Sequence, residues 1–238
     1  MEPLVLNSPV SWILFLLEGL GAISFAVSGT IIAIKKRNDA VGAVIFALVT
    51  AFGGGVIRDL VIGRTPPALF STVESAVLAG CCFLVSFTMF CVSFIGKTAT
   101  ILTERMHNVL LEGSDMIGLA LFCVLGVDSA VNFLGANVNP ALLIFCGCIT
   151  GIGGGILRDI FSAQIPLVFR KHIYLIPALL GTGCYVLLLP HLPRLASILI
   201  SVSIILAIRI LAICFQWNLP TPLGKIPKDT SAESQNGK

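Results

Sequence analysis

The chain has 238 residues, of which 56 % are hydrophobic and 11 % are Asp, Glu, Lys or Arg, with a net charge of +3. An ordinary soluble domain carries about 25 % charged residues, so there is too little charge here to cover a soluble surface, and the basic residues are too few and scattered for a nucleic-acid binder. A mean hydropathy of +1.00 also excludes disorder for most of the chain.

The apolar residues fall in blocks about 20 residues long, the length of a helix that crosses a bilayer. Seven spans are predicted, over residues 12–34, 40–62, 71–95, 114–134, 139–161, 172–190 and 195–215, which makes the expected fold an all-α polytopic membrane protein. The first lacks a basic start and contains Glu18, so it reads as a span rather than a cleaved signal; Ser24, Ser28 and Thr30 add hydroxyls to it. The second carries Gly53-Gly54-Gly55 and then Arg58-Asp59, and Pro66-Pro67 closes it. The third has Glu74 near its start. The fourth holds Asp128 in otherwise apolar surroundings, where it either lines a water path or bonds locally near Asn132. A turn at Asn137-Val-Asn-Pro140 starts the fifth, which carries Gly153-Gly154-Gly155 and Arg158-Asp159 and ends before Pro166. Residues 220–238 are polar and read as a disordered tail.

Chemistry-bearing constellations are lacking. The eight cysteines lie inside apolar blocks and read as free thiols that bury like small hydrophobes. His107, His172 and His191 do not cluster with acidic residues at metal-ligand spacing, and no serine sits in a nucleophile elbow. Neither an enzyme nor a bound cofactor is expected.

Positive charge sets the predicted direction. With the N-terminus outside, the inner loops and tail hold Lys35, Lys36, Arg37, Lys97, Arg105, Arg170, Lys171, Lys225, Lys228 and Lys238, and the outer loops hold only Arg64 and Arg194. The C-terminus is then cytoplasmic. Lys35, Lys36, Arg37, Arg170 and Lys171 either touch anionic headgroups or only set this topology.

The most informative feature is a duplication. Ala51-Phe-Gly-Gly-Gly-Val-Ile-Arg-Asp-Leu60 recurs as Gly151-Ile-Gly-Gly-Gly-Ile-Leu-Arg-Asp-Ile160, and the match extends to Pro66 and Pro166. Upstream, Phe25, Val27 and Gly29 match Phe122, Val124 and Gly126 at an offset of 97. The predicted units are residues 10–96 and 113–190, three spans each, with an extra seventh span at 194–215. Three is odd, so the second unit enters the membrane from the opposite side. Inverted repeats of this kind place substrate and ion sites near the midplane, although a duplicated gene also builds a plain scaffold.

Three consecutive glycines weaken a helix, each by up to about 1 kcal/mol relative to alanine. Each triplet is therefore either a place where the helix bends or unwinds, or a place where backbones pack closely. Charges as deep as Arg58, Asp59, Arg158 and Asp159 must pair or face the bundle interior. Adjacent residues on a helix point about 100° apart, which disfavours pairing within each motif and suggests crossed pairs, Arg58 with Asp159 and Arg158 with Asp59, acting as a clamp or a gate.

Two three-helix repeats carrying Gly-Gly-Gly-x-x-Arg-Asp, followed by a seventh helix, resemble the prokaryotic trimeric intracellular cation (TRIC) channel family over residues 10 to 215. The same sequences are grouped under a bacterial membrane family described as a glycine transporter. The resemblance implies a homotrimer with one pore per subunit, conducting potassium and some sodium, with the pore associated with the two kinked glycine-triplet helices. The kink positions would be Gly53, Gly54, Gly55, Gly153, Gly154 and Gly155. Animal members carry a basic pair on the fourth helix that contacts phosphoinositide; residues 116–134 here contain no Lys or Arg. The alternative function is a secondary transporter of a small solute such as glycine.

Overall fold

In the computed structural model, which describes residues 9–95, 104–135, 138–170 and 174–215, every regular element is a helix. In chain order these are α1 (Pro9–Lys35), α2 (Ala40–Val61), α3 (Ala68–Ser71), α4 (Val73–Ile95), α5 (Glu104–Leu134), α6 (Pro140–Phe161), α7 (Leu167–Arg170), α8 (Leu175–Leu188) and α9 (Arg194–Cys214). Six of them, α1, α2, α4, α5, α6 and α9, are long and apolar enough to cross a membrane. The predicted sixth span is shorter than expected: α8 has 14 residues, a length of about 21 Å against a hydrocarbon core of about 30 Å. Leu189-Pro190 stops it. In the other direction, α5 begins ten residues before the predicted edge, and Lys35 at the end of α1 donates to Asn108 Oδ1 on this extension at 2.7 Å. The tail at 220–238 and Lys171 lie outside the described residues.

The two motif-bearing helices start and stop alike. Asp39 accepts a hydrogen bond from Gly42 N–H at 2.7 Å, and Asn139 accepts one from Ala141 N–H at 2.9 Å, with Pro140 in the first turn. Each side chain satisfies one of the amides that a helix start leaves free. At the far ends Gly63 and Ala163 take left-handed conformations, φ 74° and 53°. Their N–H groups reach Leu60 O and Ile160 O, and the next amides, Arg64 and Gln164, reach Asp59 O and Asp159 O at 2.8 and 2.9 Å. This is the Schellman pattern of C-terminal closure. One proline match shifts: Phe70 N bonds Pro67 O just as Phe169 N bonds Pro166 O, so Pro67, not Pro66, is the counterpart of Pro166, and the first copy holds one more residue in this loop.

Packing brings α2 against α6 and α1 against α5, both antiparallel. A Cβ on Gly54 would fall on the Thr150 carbonyl oxygen, and one on Gly154 would fall on the Thr50 carbonyl oxygen. One on Gly53 would meet the Leu157 side chain at 2.5 Å, and one on Gly153 would first meet the Gly54 Cα at 3.1 Å, with Ile57 at 3.9 Å. The same reciprocity holds between α1 and α5. Gly21 packs on Phe122, Gly118 packs on Phe25, and the Phe25 and Phe122 rings stack at 5.4 Å. Small residues at these crossings let the backbones approach, which is how helices gain contact where the solvent is itself apolar. The outer faces carry large apolar side chains such as Leu16, Val73, Phe94 and Phe169, as a lipid-facing surface requires.

Candidate functional site

Both Arg-Asp pairs sit at the C-terminal ends of their helices, and because α2 and α6 run antiparallel they lie at opposite ends of the bundle. At the first end Arg58 donates from Nε and Nη2 to Asp59 Oδ1 at 2.9 and 2.8 Å. Asp59 Oδ2 accepts the Ala68 N–H at 2.8 Å, which fixes the start of α3. The second end repeats this: Arg158 Nε donates to Asp159 Oδ1 at 2.8 Å, and Asp159 Oδ2 accepts the Leu167 N–H of α7 at 2.8 Å. The aspartate in each motif therefore anchors the loop that follows, and the arginine supplies its counter-charge.

These contacts overturn the crossed pairing. The α2/α6 crossing sets position 58 opposite residues near 148, so Asp159 lies roughly 10–20 Å farther along the axis at 1.5 Å per residue. The 100° argument also fails, because it describes Cβ directions. An arginine side chain is long enough to fold back over its neighbour and reach a carboxylate whose own position is set by the loop amide.

The second end has more. Arg158 Nη1 donates to Asp115 Oδ1 at 2.7 Å and makes a short contact with the Ser28 hydroxyl. Tyr174 donates its hydroxyl to Asp115 Oδ2 at 2.7 Å. The Arg209 guanidinium lies over the Tyr174 ring, its Cζ 4.6 Å from the centroid. Arg158 and Asp115 are each 1 % exposed, and Gly155 leaves room beside them: a Cβ there would come within 3.7 Å of Tyr174, Asp115 and Arg158. Charges buried this deeply persist only when paired and hydrogen-bonded.

At the first end the offset of 97 places Glu18 where the second end has Asp115. Its side chain is exposed, and it makes no hydrogen bond or ion pair among the described residues. The charges acting on it are Arg58, Arg64, Asp128 and Glu74. Arg64 stands over the Phe133 ring at 5.7 Å.

The glycine triplets do not unwind their helices. Both α2 and α6 are helical throughout, so no backbone group is freed there. Gly54 and Gly154 serve the close crossing, and beside them Thr50 and Thr150 each return their hydroxyl to the carbonyl four residues back, at 2.6 Å.

Known proteins with this sequence pattern supply the family. A model described as "Glycine transporter" matches residues 15–93 and 113–190, one match per repeat. The inner membrane protein YadS of Escherichia coli (strain K12) is 30 % identical over 214 residues, 88 % of this chain and 96 % of that protein. The TRIC trimeric intracellular cation channel orthologue from Rhodobacter sphaeroides is 32 % identical and superposes with a TM-score of 0.74, covering 86 % of this chain and 98 % of that one. A prokaryotic TRIC channel crystallised in 0.5 M KCl is 29 % identical with a TM-score of 0.75, over 87 % and 99 %. The chain belongs to the TRIC and glycine-transporter family.

The remaining readings of single residues meet the geometry unevenly. Asp128 is not a free acid. It accepts from Arg194 Nε and Nη2 at 2.7 and 2.5 Å, from the Tyr185 hydroxyl at 2.7 Å and from Asn132 at 3.2 Å. It ties α5 to α8 and α9, and its charge is neutralised. Lys36 and Arg37 are exposed in the turn after α1, whereas the Arg170 side chain falls outside the described residues. All eight cysteines are free. Sequence reasoning missed Asp115, Ser28 as a partner of Arg158, Tyr174 and Arg209. One signal was present: Glu18 had been singled out, and its repeat partner at the known offset is Asp115.

Proposed function

We propose that this protein is a potassium-preferring monovalent cation channel of the TRIC type. It assembles as a homotrimer, with a pore in each subunit around α2 and α6. Each subunit has seven membrane helices, with α8 completing the seventh, arranged as two inverted three-helix repeats and α9. The N-terminus is outside and the C-terminus is cytoplasmic, so the protein is a multi-pass protein of the cell (inner) membrane. Lys35, Lys36 and Arg37 lie at the inner headgroup level.

One observation carries this reading. Polar side chains follow one another between the two Arg-Asp ends of an otherwise apolar bundle, from Glu18, Arg58 and Asp59 past Thr50 and Thr150 to Ser28, Arg158, Asp159 and Asp115. Polar groups at membrane depth mark ion or substrate paths. The reciprocal contacts favour the inverted arrangement, because a two-fold relation makes each contact occur twice with its partners exchanged. The likeness to solved TRIC channels favours a channel over a scaffold. In the described state the inner end, at Arg158, is sealed by its pairs, and the outer end keeps an acid, Glu18, that is unpaired among the described residues and attracts cations.

A carrier of a small solute such as glycine is the second reading, favoured by the family model's description and by inverted repeats, which suit alternating access. Reconstitution separates them. Discrete current steps in planar bilayers with a potassium-favouring reversal potential support the channel; saturable glycine uptake with counterflow and no current steps overturns it.

A further inference from the structure

Arg209 is the one part of the inner cluster contributed by α9. It is 6 % exposed, and its Nε has no hydrogen-bond partner among the described residues. An arginine inside a membrane protein normally pairs with a carboxylate, since an uncompensated charge there is expensive. Here the guanidinium instead covers the face of Tyr174. The surrounding charges give a reason. Around Arg158 stand two carboxylates, Asp115 and Asp159, so one negative charge is left over. At the outer end Arg58 pairs with Asp59 alone among the described residues, with no second carboxylate on the guanidinium.

From this geometry we infer that Arg209 is the positioning residue of the inner end. It supplies the missing positive charge across the Tyr174 ring and holds the phenol that keeps Asp115 on Arg158, so α9 sets how often that end opens. A cation over an aromatic ring fixes the ring's orientation and draws on its electrons. The hydroxyl is then a better donor to a carboxylate, and hydrogen bonds to charged acceptors are the strong ones. The relay runs from α9 through Arg209, Tyr174, Asp115 and Arg158 to α6, with Ser28 of α1 joined at its end. It rests on the channel reading for its functional consequence, and not for the charge balance.

The test uses the full-length protein reconstituted in planar bilayers with symmetric KCl. Arg209→Met is expected to raise open probability roughly two- to thirty-fold, the range that loss of one cation–π contact covers, with unit conductance unchanged. Arg209→Lys, which keeps a cation over the ring, is expected to stay near wild type. Tyr174→Phe is expected to raise open probability too, and Arg209→Met added to it is expected to change little more. Unchanged gating in a well-folded Arg209→Met, or independent effects of the two substitutions, overturns the inference. If Arg209→Met fails to fold, Asp115→Asn in the same chain is expected to restore folding by removing the surplus charge; no restoration overturns the inference. If wild type shows no current steps, the channel reading fails separately, and melting temperatures of Arg209→Met, Asp115→Asn and the double variant decide the matter. The charge balance requires the second substitution to offset the first, and additive losses overturn it.

Discussion

The Arg58-Asp59 end and the Arg158-Asp159 end, called outer and inner after the proposed orientation, carry the same seven-residue motif, the same left-handed helix closure and the same aspartate-to-amide anchor, yet they are different sites. At the inner end Asp115, Tyr174, Ser28 and Arg209 gather round Arg158 and exclude solvent. At the outer end the counterpart of Asp115 is Glu18, which is exposed and makes no hydrogen bond or ion pair among the described residues. The extra methylene does not explain this by itself. Both ends are backed by the third helix of their unit, α4 at one and α8 at the other, but only the inner site also has α9, which brings Arg209. A duplicated motif therefore fixes the local frame at both ends, and the surrounding helices decide which end is sealed.

The largest expected effects test the frame that both ends share. Gly54→Ala and Gly154→Ala each drive a Cβ onto a backbone carbonyl of the facing helix, which cannot rotate away as a side chain would. Both are expected to cost about 2–3 kcal/mol or more and to do so equally. Gly55→Ala meets only Arg58 Nη2 at 4.0 Å and is expected to be mild. Melting temperature in detergent measures all three; a large difference between the first two breaks the reciprocal crossing.

Next come the arginines. Arg158→Met takes the paired arginine from two buried carboxylates, and Arg58→Met takes it from one. Removing one member of a buried pair costs about 3–5 kcal/mol, so the inner variant is expected to be the less stable of the two and the outer one to retain more folded protein on size-exclusion chromatography. Equal losses would mean that Asp115 and Tyr174 add nothing to the difference between the ends.

A smaller effect is expected at the outer acid. Glu18→Gln should lower single-channel potassium conductance by about two-fold at 20 mM KCl and hardly at all at 1 M, where the Debye length is about 3 Å. Its folding should be unaffected, since the side chain makes no ion pair. A loss that persists at high salt would place Glu18 in a structural role instead.

Much of this frame is legible in the residues alone, because helix length, the repeat offset and the motif are local or periodic properties. Apolar blocks of about 20 residues locate the long helices within a few positions, apart from the ten-residue extension that starts α5, and the doubled Gly-Gly-Gly-x-x-Arg-Asp locates both ends. What the chain does not display is which partners each charge finds. Asp115 is 43 residues from Arg158, Ser28 is 130 away, and Arg209 reaches the cluster only through an aromatic face. Such contacts depend on how helices stack. The crossed pairing went astray for the same reason: in an antiparallel helix pair, residues at matching repeat positions move to opposite ends. The glycines were ambiguous because bending and close packing ask for the same residue, and only the carbonyl oxygens above Gly54 and Gly154 distinguish them.

The smallest effect isolates the backbone. Gly63 and Ala163 close α2 and α6 in the same left-handed conformation, but only glycine adopts it without a Cβ in conflict with the carbonyl, and other residues lose about 1–2 kcal/mol there. Nothing lies within 4 Å of a Cβ built on Gly63, so a substitution there changes conformational preference and no packing. Gly63→Ala should lower stability by about 1 kcal/mol, and Ala163→Gly should raise it by a similar or smaller amount, because glycine also gains freedom in the unfolded chain. The two melting temperatures should thus move in opposite directions. If both fell, Ala163 would be held by contacts of its methyl group, and the closures at the two ends would differ in packing as well as in their charged neighbours.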